Sequence, residues 1–270
     1  MSGVPRLSVV IPWYGKVSDV ADVLERVRSA LKPVAEEGGY EIVVVDDGSA
    51  EDVAGAAREA GADQALRFPR NRGKGAAVRA GVLAARGRTV AFTDADLAYP
   101  PDHLLRLLAA VEAGGEMVVG SRRHEEATAL VRSRRLRELS GRIFSLLGAV
   151  ILLGGKVRDT QCGLKAFDAD VARWMFSMSA VDGFAFDAEL FYLAGRAGFR
   201  IVEVPVSVAN PTSSTVHVGQ QSLRMLTDLV RIRLWAFCGR YQDRNRDVVL
   251  TGDDVAEGDG GWLPGSGLGR

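Results

Sequence analysis

Four apolar runs in the first half of the chain each stop abruptly at polar residues, and this pattern limits the fold more than any other feature. The runs at 7–12 (LSVVIP), 40–46 (YEIVVVD), 89–93 (TVAFT) and 117–121 (MVVGS) are rich in β-branched residues and lack strict alternation; a shorter one lies at 65–68. Helix-patterned stretches separate them at 18–35, 51–60, 75–85 and 101–112, the first opened by Ser18 and the last by a proline. Such strands, spaced by amphipathic helices, form a mostly parallel sheet covered by helices on both faces. Ligands of these sheets sit beyond the carboxyl ends of the strands. There the chain places Pro12-Trp13-Tyr14, Asp46-Asp47, Asp94-Ala95-Asp96 and Ser121-Arg122. The expectation is an α/β fold with its chemistry on one rim.

The second half is less regular. Residues 132–153 read as helix, 164–167 as a strand, 186–197 as helix and 200–208 as a strand with one exposed face. A long helix over 222–241 carries Arg224, Arg231, Arg233 and Arg240 among Leu, Ile, Trp and Phe. A chain of 270 residues fits one large domain or two small ones. We read 1–241 as a single domain that ends in the long amphipathic helix, and 242–270, Gly- and Asp-rich from 251 on, as a disordered tail.

Charge and cysteine usage narrow the setting. Lys and Arg together number 34, as do Asp and Glu, so bulk charge does not point to nucleic acid. Two cysteines, far apart and without metal-ligand spacing, suit a reduced, cytoplasmic protein. No signal-peptide pattern opens the sequence, and the longest apolar run, 143–153, is shorter than the roughly 20 residues that span a bilayer.

Each polar motif has two readings. Asp94-Ala95-Asp96 is either a solvated turn or a hard-oxygen site for Mg²⁺ or Mn²⁺, since residues i and i+2 of a strand share a face. Arg70-Asn71-Arg72-Gly73-Lys74-Gly75 opens a helix; it is a flexible turn, or it admits phosphate to backbone N–H groups. It is neither a Walker loop nor a dinucleotide fingerprint. Asp46-Asp47-Gly48-Ser49 is a tight turn, or it offers an acid to a base or ribose. Asp159-Thr160-Gln161-Cys162-Gly163 reads most simply as a packed loop with a buried thiol. Seven arginines between Arg122 and Arg142 face three acids. They form a solvated helix face, or a patch for anionic lipid or phosphate; interleaved aromatics are too few for a nucleic-acid surface. The neighbouring apolar run 143–153 and the 222–241 helix favour the lipid version, with core packing as its rival.

Taken in order, these motifs resemble the family 2 glycosyltransferases of GT-A fold. Within them the chain is most similar to the dolichyl/polyprenyl-phosphate β-glucosyltransferase group. The shared segments are Val9-Val10-Ile11-Pro12, Val44 to Ser49, Arg70 to Gly75, Asp94-Ala95-Asp96, Gly120-Ser121-Arg122, Asp159 to Lys165, Phe184 to Leu190 and Glu203-Val204-Pro205-Val206. The resemblance implies that Pro12, Tyr14, Asp46, Asp47 and Lys74 line the nucleotide pocket. It implies that Asp94 and Asp96 hold a Mg²⁺ or Mn²⁺ ion on the donor diphosphate. Arg122 and arginines after it would receive the acceptor phosphate; Asp159, Gln161 and Asp187 would border the sugar and the reacting centre.

By the same resemblance the donor is UDP-glucose, the acceptor a polyprenyl phosphate, and the outcome inversion. Related mannosyltransferases carry a glutamine two residues after the aspartate pair. Ala98 stands there in this chain, which points to the glucosyl branch. Without a membrane span in the sequence, the expected attachment is peripheral, on the cytoplasmic face, or through a partner. Three rivals stay open: transfer to a soluble acceptor, nucleotide-sugar binding without turnover, and nucleotidyl transfer.

Overall fold

The computed structural model describes residues 3–122, 162–208 and 218–241. The helix expected over 132–153, the basic run beyond Arg122, Asp159, Gln161 and the tail 242–270 lie outside the described residues.

Seven strands form one sheet: β1 (Leu7–Trp13), β2 (Tyr40–Asp46), β3 (Gln64–Arg67), β4 (Thr89–Phe92), β5 (Met117–Ser121), β6 (Lys165–Asp168) and β7 (Ile201–Pro205). Their order is β3-β2-β1-β4-β6-β5-β7, and every pairing is parallel except those of β6. The described α-helices are α1 (Val20–Ala30), α2 (Lys32–Glu36), α3 (Val53–Glu59), α4 (Lys74–Ala84), α5 (His103–Glu112), α6 (Ala169–Met178), α7 (Phe186–Ala197) and α8 (Val218–Phe237). The helix expected over 18–35 is divided, because Pro33 in the first turn of α2 has no N–H to continue the ladder of α1. Helix α6 was not expected; Asp168 caps it by accepting from the Asp170 and Val171 N–H groups.

Both faces of the sheet are buried, which is why the strands read as unbroken apolar runs. Val10, Val43 and Val45 face a core built with α4, α6 and α7. Val9, Ile11, Ile42 and Val44 face the opposite core, built with α1, α3 and α5. Helix α4 lies close to the sheet because Gly81 has no side chain: a Cβ there would meet Val10 Cγ1 at 2.3 Å.

Strand β6 turns one segment against the grain. It pairs antiparallel with both β4 and β5, Lys165 standing opposite Phe92 and Val119. Its first residue therefore sits at the same rim where β4 and β5 end. Strand order also reverses between β1 and β4, so the loops that follow them diverge and leave a crevice.

Candidate active site

The rim on the β2 side is held by Asp46, the last residue of that strand, and by Asp47 just after it. Asp46 is fully buried, and its Oδ1 accepts from the Ser49 N–H at 2.8 Å. Its Oδ2 lies 3.3 Å from Arg67 Nε, an ion pair without hydrogen-bond alignment, so this oxygen has no hydrogen-bond partner. Asp47 Oδ1 accepts from the Arg72 N–H at 2.7 Å and Oδ2 from the Gly73 N–H at 2.9 Å. Burial raises the Asp47 carboxyl above the ordinary range, opposed by those two N–H groups. Asp47 thus fastens the 70–73 loop beneath it. Gly48, at φ +73°, lets the two loops meet, because a Cβ there would strike the Arg70 backbone at 2.3 Å. Pro12 is buried at the end of β1, and Tyr14, just past it, is 67% exposed.

The loop fastened by Asp47 delivers Lys74 to the first turn of α4. Lys74 Nζ lies 2.5 Å from Asp94 Oδ1. Burial pushes its ammonium down, but Asp94, then Asp187 and Asp96, outweigh that and hold it above the ordinary lysine range. Asp94 and Asp96 lie in a turn just past β4, so the strand-face argument does not place them. Asp94 O accepts from the Leu97 N–H at 3.1 Å, and Asp96 Oδ1 from the Ala98 N–H at 3.0 Å. Leu97 is left-handed at φ 43° and fully buried, so its side chain anchors a strained turn. Burial and then the neighbouring Asp94 raise the Asp96 carboxyl, against the pull of the Ala98 N–H and Lys74.

Two more segments close on this turn. Gly163 abuts Asp94 so tightly that a Cβ would meet Oδ2 at 2.0 Å. Two residues on, the fully buried Lys165 donates to Cys162 O and to Asp187 Oδ1, both at 2.6 Å. Asp187 stands in the first turn of α7; burial raises its carboxyl, and Lys165 and Lys74 pull it back in part. Glu189, two residues further into α7, is fully buried and accepts from the Ala180 and Val181 N–H groups and from Tyr241 Oη at 2.7 Å. It fixes the 180–183 loop, whose carbonyls lie so close to Gly73 and Gly75 that no side chain fits there.

Pro12, Tyr14, Asp46, Asp47, Lys74, Asp94, Asp96 and Asp187 all lie at or next to this rim. Arg122 follows directly on β5, exposed, while Asp159 and Gln161 are outside the described residues. Sequence reading assigned no role to Lys165, Glu189, Arg67 or Gly163. A lysine opening an otherwise apolar strand, and a glutamate inside the apolar run of α7, were the available signals.

Residues 8–182 match the model of the glycosyl transferase family 2. A dolichyl-phosphate beta-glucosyltransferase of Trichomonas vaginalis is 32% identical over 259 residues, covering 91% of this chain and 76% of that protein. The Saccharomyces cerevisiae protein of the same name is 31% identical over 264 residues, covering 89% and 78%. The human one is 31% identical over 257 residues, covering 88% and 78%. Among solved structures, the glucosyl-3-phosphoglycerate synthase of Mycobacterium tuberculosis, in complex with Mn²⁺, UDP and phosphoglyceric acid, superposes with a TM-score of 0.62. It is 22% identical and covers 84% of this chain and 78% of its own, a likeness of fold that makes the α/β sheet a GT-A one. With the family's model running from β1 past α6, and relatives above 30% identity along most of its length, the chain belongs to glycosyl transferase family 2.

Proposed function

We propose that this chain transfers glucose from UDP-glucose to a polyprenyl phosphate, with inversion at the anomeric carbon, working peripherally at the cytoplasmic face of a membrane. The observation that carries this reading is the convergence of Lys74, Asp94, Asp96 and Asp187 on one rim. The relatives that match most of the chain are dolichyl-phosphate glucosyltransferases, which points that rim at a glucosyl donor and a lipid phosphate.

Asp94 and Asp96 fit a Mg²⁺ or Mn²⁺ ion. They are hard-oxygen donors, and Asp94 raises the carboxyl of Asp96, a repulsion that a dication relieves. No group of three or more His, Cys, Asp or Glu side chains forms a cage among the described residues, which leaves positions for diphosphate oxygens and water. When bound, the ion would stabilise negative charge on the leaving UDP.

The chain's own residues supply the rest. Lys74 keeps its proton at neutral pH and adds a fixed cation beside the donor phosphates. Asp46 Oδ2, buried, beside Arg67 but without a hydrogen-bond partner, is an acceptor for an N–H or O–H of the nucleoside, with Pro12, Tyr14 and Asp47 around it. A phosphate monoester is anionic near neutral pH, its second pKa being about 6, so the attack needs no strong base. Asp187, gripped by Lys165, orients a sugar hydroxyl. Arg122 and the basic segment after it receive the acceptor phosphate, and Asp159 and Gln161 border the sugar as the resemblance implies.

The test is to incubate the chain with Mg²⁺ or Mn²⁺, a panel of nucleotide sugars, and either a short polyprenyl phosphate or 3-phosphoglycerate. UDP release from UDP-glucose that requires the polyprenyl phosphate is the expected result. Release with 3-phosphoglycerate alone would move the acceptor to a soluble molecule, and pyrophosphate as product would mean nucleotidyl transfer.

A further inference from the structure

Exposed apolar side chains collect on one helix. Of the large hydrophobic side chains that are exposed among the described residues, four lie on α8: Leu226 (40%), Val230 (56%), Leu234 (58%) and Phe237 (91%). Their spacing of four, four and three residues sets them in one row. The opposite face of α8 is spent on the core, where Leu229 and Ile232 are fully buried. Core packing therefore accounts for one side of this helix and leaves the other unexplained.

Charge frames the row. Arg224, Arg231, Arg233 and Arg240 accompany it, against a single acid, Asp228, which pairs with Arg231 at 3.2 Å. Arg231 and Arg240 both lie over the Trp235 ring, at 5.8 and 4.6 Å from its centroid. No described helix is long and apolar enough to cross a membrane. A helix with an apolar row, basic flanks and an aromatic beneath them suits the plane between headgroups and acyl chains.

We infer that this face of α8 docks the protein on a bilayer that contains anionic phospholipid. The alternative occupant, a second copy in two-fold contact, would set these arginines against one another with one acid per helix to relieve them. Helix α8 is also tied to the rim. The Gly183 backbone lies against Asp228, a Cβ there meeting Oδ2 at 3.4 Å, and the next residue, Phe184, is exposed. Phe184 stands just ahead of α7, which carries Asp187. Just past α8, Tyr241 is bonded to Glu189 of the same helix. The rim thus adjoins α8 on the side of the helix that faces the core, one helix thickness from the apolar row. The inference rests on the lipid-acceptor reading for its purpose, not for its geometry.

The test is co-sedimentation of the full chain with phosphatidylcholine vesicles, and with vesicles containing phosphatidylglycerol, for the wild type and a Val230→Glu/Phe237→Glu variant. Folding is checked by circular dichroism, and turnover is measured with a short, water-soluble polyprenyl phosphate. The wild type should sediment with the anionic vesicles and be released by salt. The variant should partition about tenfold less or weaker still, with turnover on the soluble acceptor unchanged. Wild type that ignores anionic vesicles, a variant that binds as the wild type does, or a wild-type dimer that the variant splits would each overturn the inference. Vesicle binding that depends on the row, without turnover on any polyprenyl phosphate, would leave the docking face standing and sink the proposed activity instead.

Discussion

Lys165 is fully buried, and its ammonium is matched by one carboxylate and one carbonyl, with the Phe92 and Phe191 rings around it. Replacing it by methionine keeps the volume but strands Asp187 in a site where burial already raises its carboxyl. We expect Lys165→Met to cost about 3–5 kcal/mol at neutral pH. The carboxyl, freed from Lys165, rises further above its unfolded value, so folding takes up a proton. That contribution is fully present below the unfolded carboxyl's pKa and is lost as pH rises from there through the folded one. Urea unfolding should therefore show a smaller deficit at pH 5 than at pH 7.5; an equal deficit at both would mean Asp187 is not the group left stranded. Gly163 allows a cleaner perturbation. A Cβ there collides with Asp94 Oδ2 while the backbone needs no left-handed angle. Gly163→Ala should lower turnover about a hundredfold by displacing one carboxylate. Its melting temperature should fall only slightly, which separates a site effect from unfolding.

At the scale of elements, the strands and helices of the first half were legible because each carries its period in its own residues. Position across the sheet was less so. The run now seen as β6 looked like any short strand, but its antiparallel insertion between β4 and β5 depends on pairing partners far along the chain. That insertion brings Gly163, read by itself as the end of a packed loop, against Asp94. The aspartate pair was legible as chemistry but not as geometry, because its turn is set by a left-handed Leu97 anchored in the core. Glu189 is a similar case: its partners are the backbone of a loop and Tyr241, 52 residues on. Tyr241→Phe removes one hydrogen bond to a buried carboxylate and should cost about 1.5–3 kcal/mol. Hydrogen exchange should quicken first at 180–182, the loop that Glu189 holds against α4. Unchanged exchange there would detach the end of α8 from the rim.

At the scale of the whole molecule, the described candidate site residues gather on one rim of the sheet, while the opposite rim is tied by structural contacts. There Glu41 is buried beneath Ser8, Gln64 and Arg86, and Arg6 pairs with Glu37 and Glu112. Family 2 membership fits this division, since one rim carries all the described candidates for donor binding. The central claim is that Asp94 and Asp96, with Lys74 beside them, form the working centre. Its most direct test compares UDP release by the wild type and by Asp96→Asn, with UDP-glucose, Mn²⁺ and a short polyprenyl phosphate. The substitution keeps volume and removes one charge. Turnover should fall about a hundredfold or more, with the unfolding transition kept. An Asp96→Asn protein that releases UDP at close to the wild-type rate would contradict the account.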